Sequence, residues 1–142
     1  MKISAVDASN YFRGLLLLIR KDRKVTESEV ELMMRIGKAL VFEERFCENA
    51  IQGILENEHV REQAPKFATK ELAEKFIHDG LSLSFSDNEI HPSEEEWLRF
   101  VAEVNGLDLQ WFLRERARAA KNKTLHAQIE VDDITVQGLE RN

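Results

Sequence analysis

This chain is poor in the residues that cross-link or interrupt structure. Its 142 residues hold one cysteine, Cys47, two prolines and six glycines. One cysteine excludes an internal disulfide, and nothing requires an oxidising compartment. Long uninterrupted hydrophobic runs are also missing. The longest, Leu15–Ile19, lies between Arg13 and Arg20, far short of the roughly 20 apolar residues a spanning helix needs. Asp7 and Arg13 interrupt any signal-peptide core, so a cytoplasmic location is expected. Cations are outnumbered, 20 against 26 acids, for a net charge of −6. That balance argues against a general nucleic-acid binder, which needs surplus cations to neutralise phosphate.

Catalytic motifs are absent too. There is no G-x-S-x-G, no glycine-rich phosphate loop and no cysteine pair. His59, His78, His91 and His126 are scattered, and none makes the HExxH spacing. Glu43, Glu44 and Glu48 around Cys47 discourage a thiolate, so an inert thiol is expected. No catalytic residue is assigned, and a non-enzymatic role is expected.

What is present is helical periodicity. Hydrophobic residues are 43% and charged residues 32% of the chain, which suits a single domain with a modest core. Apolar spacing predicts helices over about Asp7–Arg20, from Thr26 past Leu40, Glu43–Glu56, Thr69–Phe85, from Pro92 to Val104, and Asp108–Lys121. Thr26 with Glu29 has the form of a capping box, and Pro92 fits a first helical turn. Phe46, Ala50, Ile51, Ile54 and Leu55 are expected to carry the third helix inward. Trp97, Leu98, Val101 and Val104 are expected to do so in the fifth. His78, followed by Asp79, is expected on the exposed side of its helix. Residues 57–68, with Pro65, read as a long connection. Residues 128–136 change character: Ile129, Val131, Ile134 and Val136 around Asp132-Asp133 suit a small hairpin, an extended arm or a flexible tail.

The chain also repeats itself. Residues 21–46 and 86–112 align at a shift of 65, pairing Asp22 with Asp87, Val25 with Ile90, Ser28 with Ser93 and Glu29 with Glu94. Leu32 meets Trp97, Met33 meets Leu98, Ile36 meets Val101 and Phe46 meets Trp111. The expectation is an all-α domain of about six helices with an internal pseudo-twofold repeat over residues 1–123, followed by a short arm at 124–142.

Each repeat unit offers Asp, two polar residues, an aliphatic residue, an N-cap position and a Glu at the third helical position. Capping and the helix dipole account for both acids without a ligand. The segments DRKVTESEVELMMRIGKAL and DNEIHPSEEEWLRFVAEVNGL resemble the paired acidic helix starts of the tellurite-resistance TerB-like family, over roughly Tyr11–Leu113. The resemblance implies an all-helical fold with an internal pseudo-twofold. It also implies divalent-metal binding and a place in stress-related or membrane-associated complexes. The matching metal positions are Asp22, Glu29, Asp87 and Glu94, to which Glu89 adds an acid.

The two loops differ in charge. Residues 20–24 set four cations against Asp22, a net +3, whereas residues 87–96 carry five acids and no cation, a net −5. A hard cation such as Ca²⁺ or Mg²⁺ suits the second loop better. An EF-hand is set aside, because the sixth position from Asp87 is Pro92 and the twelfth is Leu98. Arg114, Arg118 and Lys121 share a face of the sixth helix. They suit the helix dipole, or a docking strip for an acidic protein, a phosphate-bearing ligand or lipid headgroups. The leading functional expectation is a TerB-like module acting by protein–protein contacts. A metal-binding or metal-sensing protein is the second, and a metal-dependent hydrolase the weakest. Oligomeric state is left open, with the segment at 129–136 a candidate edge for pairing between chains.

Overall fold

The computed structural model describes residues 1–21, 25–56, 63–86, 89–122 and 129–138. Six helices carry the fold: α1 (Ala5–Arg20), α2 (Glu27–Ala39), α3 (Glu44–Glu56), α4 (Lys70–Ser84), α5 (Pro92–Val104) and α6 (Leu109–Lys121). The expected all-α domain is what the chain builds. Among the described residues, no helix is long and apolar enough to cross a membrane.

The bounds of α2 and α3 map onto those of α5 and α6 at a shift of 65, and α1 maps onto α4 with one residue fewer. Local chemistry repeats at the same shift. Ser4 caps α1 by accepting from the Asp7 N–H, and Thr69 caps α4 by accepting from the Leu72 N–H, at 3.1 and 3.2 Å. The ends of α2 and α5 close with matched pairs of backbone bonds. Phe42 N–H bonds Gly37 C=O and Val41 N–H bonds Lys38 C=O; Leu107 N–H bonds Ala102 C=O and Gly106 N–H bonds Glu103 C=O. This is the Schellman pattern, which needs a left-handed residue just past the helix. Gly106 supplies it at φ +74°, but Val41 must adopt φ +65°, a strained conformation for a β-branched side chain.

α1 lies at the centre. Leu15 through Ile19 are all buried, as are Tyr11 and Phe12, so this stretch of the helix is covered on every side, and α1 packs on α2, α3, α4 and α5. Each fully buried leucine or isoleucine of this kind stabilises by about 2 kcal/mol. The expected inner faces need correction at three places. Phe46 is 52% exposed and Leu55 is 43% exposed; Cys47, Ile51 and Ile54 are what α3 buries. Val104 is at the surface too. Val25 and Ile90 pack against the core, as their place before each helix suggests.

Each half ends in an extended strap. The first, at 63–68, lies on α1: a Cβ on Gly14 would sit 2.8 Å from Pro65 Cγ. Phe67 is buried against Tyr11 and Phe76, with ring centres 5.9 and 5.2 Å away. Asn105, the C-cap of α5, holds this strap by accepting from Phe67 N–H and donating to Pro65 C=O, both at 2.9 Å. The second strap is the arm. It runs from Ile129 through a 3-10 turn (Glu130–Asp133) to β2 (Thr135–Val136). β2 pairs in parallel with β1 (Lys2–Ile3) of the same chain, Lys2 opposite Thr135 and Ile3 opposite Val136. Of the three expectations for residues 128–136, the extended arm is the one observed from residue 129 on. Its Ile129, Val131, Ile134 and Val136 are buried in the one hydrophobic core.

Candidate functional site

The starts of α2 and α5 are built alike. Thr26 Oγ1 accepts from Glu29 N–H at 3.1 Å, and Glu29 Oε1 accepts from Thr26 N–H at 2.9 Å. In the second copy, Glu94 Oε1 accepts from His91 N–H at 3.0 Å, and the His91 ring accepts from Ser93 N–H at 3.2 Å. Both carboxylates are 2% exposed. Glu29 and Glu94 are thus capping residues first, each holding backbone donors that an uncapped helix start would leave to water.

The fold sets the start of each of these helices against the end of the other copy's first helix. Ser93 Oγ, in the first turn of α5, donates to Lys21 C=O at 3.2 Å. The Lys21 ammonium lies 4.9 Å from the Trp97 ring centre, within range of a cation–π attraction. The reciprocal arrangement joins Ser86, the counterpart of Lys21, to α2. Ser86 lines a cleft of about 260 Å³ with Ser28, Glu31, Leu32 and Arg35.

The sequence-derived metal candidates divide into three groups. Glu29 and Glu94 are buried in their caps. Glu89 is exposed. Asp22 and Asp87 lie outside the described residues. Among the described residues, no three His, Cys, Asp or Glu side chains are placed to hold an ion together. The described donors therefore do not form a metal centre by themselves.

Arg114, Arg118 and Lys121 are exposed on α6. Arg118 also lies 3.6 Å from Glu115. Between them, Arg116 turns inward instead, pairing with Glu95 and lying over the Phe85 ring. His78 is half-buried rather than freely exposed, edge-on to Trp111 at 5.7 Å and 3.6 Å from Glu115. Cys47 is buried, and burial followed by the charges of Glu44 and Glu48 pushes its thiol pKa up. That environment suits an inert thiol.

The polar centre that the sequence reading missed is Asp79, which follows His78 and is 1% exposed. Tyr11 Oη donates to its Oδ2 at 2.6 Å, Glu130 N–H to Oδ1 at 2.7 Å and Val131 N–H to Oδ2 at 3.0 Å. One carboxyl group therefore clamps the arm onto α4 and α1. Burial pushes its pKa up to about 7, against the pull of these three donors; the charge of Glu130 adds to the rise. Tyr11 is pushed well above its ordinary value, by burial first and then by Asp79. The signal was present: Asp79 stands three residues after Phe76 and four before Leu83, on the inward stripe of α4. Arg35 to Asp132 at 2.7 Å and Lys75 to Glu130 at 3.1 Å fasten the outside of the same arm.

Comparison of the chain with protein-family models, with curated proteins and with solved structures returns no significant match.

Proposed function

We propose that this chain is a non-enzymatic TerB-like module of the cytoplasm. It acts by protein–protein contacts within a stress-related or membrane-associated assembly. The observation that carries the contact role is an apolar surface on α5 and α6 at positions that are mostly polar in the first copy. Phe100, Val104, Leu109 and Leu113 are between 36% and 50% exposed on α5 and α6. Their counterparts in the first copy are Arg35, Ala39, Glu44 and Glu48. Exposed aromatic and aliphatic side chains on neighbouring helices mark interaction surfaces more often than isolated ones do. The assembly named here rests on the sequence resemblance alone.

The test is a double variant, Phe100→Glu with Leu113→Glu. Both positions are exposed, so the helical circular dichroism and Tm should persist. A partner that co-purifies stoichiometrically with the wild type should be lost. Retention of that partner by the variant counts against this surface.

A divalent-metal role is the second reading, favoured by the contact of the α5 start with Lys21, the residue before Asp22 in sequence. It would use Asp22, Asp87 and Glu89, together with Glu29 and Glu94. Calorimetric titration with Ca²⁺, Mg²⁺, Mn²⁺ and Zn²⁺ decides it, since no heat from any of them removes the reading. Phosphoester hydrolysis abolished by Asp87→Ala would instead favour a hydrolase.

A further inference from the structure

The two copies fill one position differently. In one, a seat between the end of α1 and the start of α5 is taken by the chain's own lysine. Lys21 runs past Ser93 and sets its ammonium over Trp97. In the other, the same seat lies between the end of α4 and the start of α2, where Lys21 is replaced by Ser86, Ser93 by Ser28 and Trp97 by Leu32. A short serine and a smaller apolar floor leave the seat open, as the cleft of about 260 Å³ lined by Ser28, Glu31, Leu32, Arg35 and Ser86.

We propose that this cleft binds an aliphatic primary ammonium group, the chemistry of a lysine side chain or a short linear amine. Leu32 offers apolar surface along which methylenes can lie while the charged head stays at the rim. Glu31 is exposed at the rim and supplies the opposite charge, and the Ser28 and Ser86 hydroxyls can accept from N–H. Among the described lining residues Arg35 is the cation, and its guanidinium is drawn to Asp132 at 2.7 Å, so its charge is compensated on the arm. An anionic ligand would meet Glu31 with that compensation already made. The proposal is independent of the apolar surface on α5 and α6.

The test is titration of n-butylammonium chloride into ¹⁵N-labelled full-length protein. Saturable amide shifts should appear at Ser28, Glu31, Leu32 and Ser86, and tetramethylammonium chloride at equal ionic strength should not produce them. Ser86→Lys should abolish them, because the chain then supplies its own ammonium. Glu31→Lys alters only an exposed side chain, so it keeps the question answerable if Ser86→Lys fails to fold, and it should abolish the shifts too. Tighter binding of cadaverine than of a single-lysine peptide would identify a free amine as the ligand, and the reverse order a lysine on a partner chain. Absence of saturable shifts at those amides, or shifts that persist unchanged in Glu31→Lys, overturns the proposal.

Discussion

Replacing Asp79 by asparagine should remove a pH dependence of stability that the wild type shows between about pH 5 and pH 8. Folded, this carboxyl titrates at about 7; its ordinary value is 3.8. The native state therefore holds the proton more tightly than the unfolded chain does. The stability it contributes is fully present below 3.8 and is lost as pH rises through 7. The loss approaches about 1.4 kcal/mol per pH unit and amounts to about 2.5 kcal/mol between pH 5 and pH 8. Solvent screening does not reduce the figure, because the side chain is 1% exposed.

Asparagine cannot titrate, and it brings a second effect. Glu130 N–H and Val131 N–H donate to different oxygens of Asp79, and an amide has only one oxygen. One buried N–H is left facing an NH₂ group, at a cost of about 1–3 kcal/mol. The variant should therefore be the less stable protein at pH 5, and the gap should narrow or invert by pH 8. Urea unfolding of both proteins at each pH measures it, and titrations common to both cancel in the difference. A gap that stays constant would show the carboxylate charged throughout, with the three donors outweighing burial. That outcome would refute the account of Asp79's titration.

Val41→Gly should stabilise by about 1 kcal/mol by relieving a valine held at φ +65°, and Gly106→Val should destabilise by at least as much; thermal melts of the pair check both. Asn105→Leu should cost about 2–4 kcal/mol, because it strips partners from Phe67 N–H and Pro65 C=O, and hydrogen exchange at the strap should accelerate. Glu29→Ala should cost about 1 kcal/mol, and Glu29→Gln less, since an amide oxygen can still accept from Thr26 N–H; denaturant midpoints separate the two.

The helices were legible because their starts and stops are written in short-range chemistry. The capping box at Thr26 and Glu29, the threonine cap at Thr69 and the Asn105-Gly106 stop need only neighbours in sequence. The inward faces were harder at the edges of the bundle. Phe46 has the spacing of an inner residue, yet α3 is peripheral and turns Cys47 inward instead. Asp79 was overlooked because a carboxylate is assigned to water by default. Its partners Tyr11, Glu130 and Val131 stand more than 50 residues away, beyond any local rule. The arm was ambiguous for the same reason, since its alternation is completed by β1 at the far end of the chain.

The 65-residue shift separates what the fold requires from what each half is free to change. Caps, Schellman closures and straps coincide, even where the first copy must force Val41 into a glycine's conformation, so the backbone plan outweighs the local preference of one residue. Three differences do not serve that plan. Gly14 packs closely under a strap, whereas its counterpart Asp79 grips one by hydrogen bonds. Lys21 fills its seat, whereas Ser86 leaves its own seat open. The polar surface of Arg35, Glu44 and Glu48 becomes Phe100, Leu109 and Leu113. The last change runs against solvation, because a helix exposing phenylalanine and leucine gains nothing from water that arginine and glutamate would not gain more cheaply. A surface that is costly when bare, at positions where the other copy is mostly polar and on a backbone that tolerates the polar alternative, is what the proposed contact would account for.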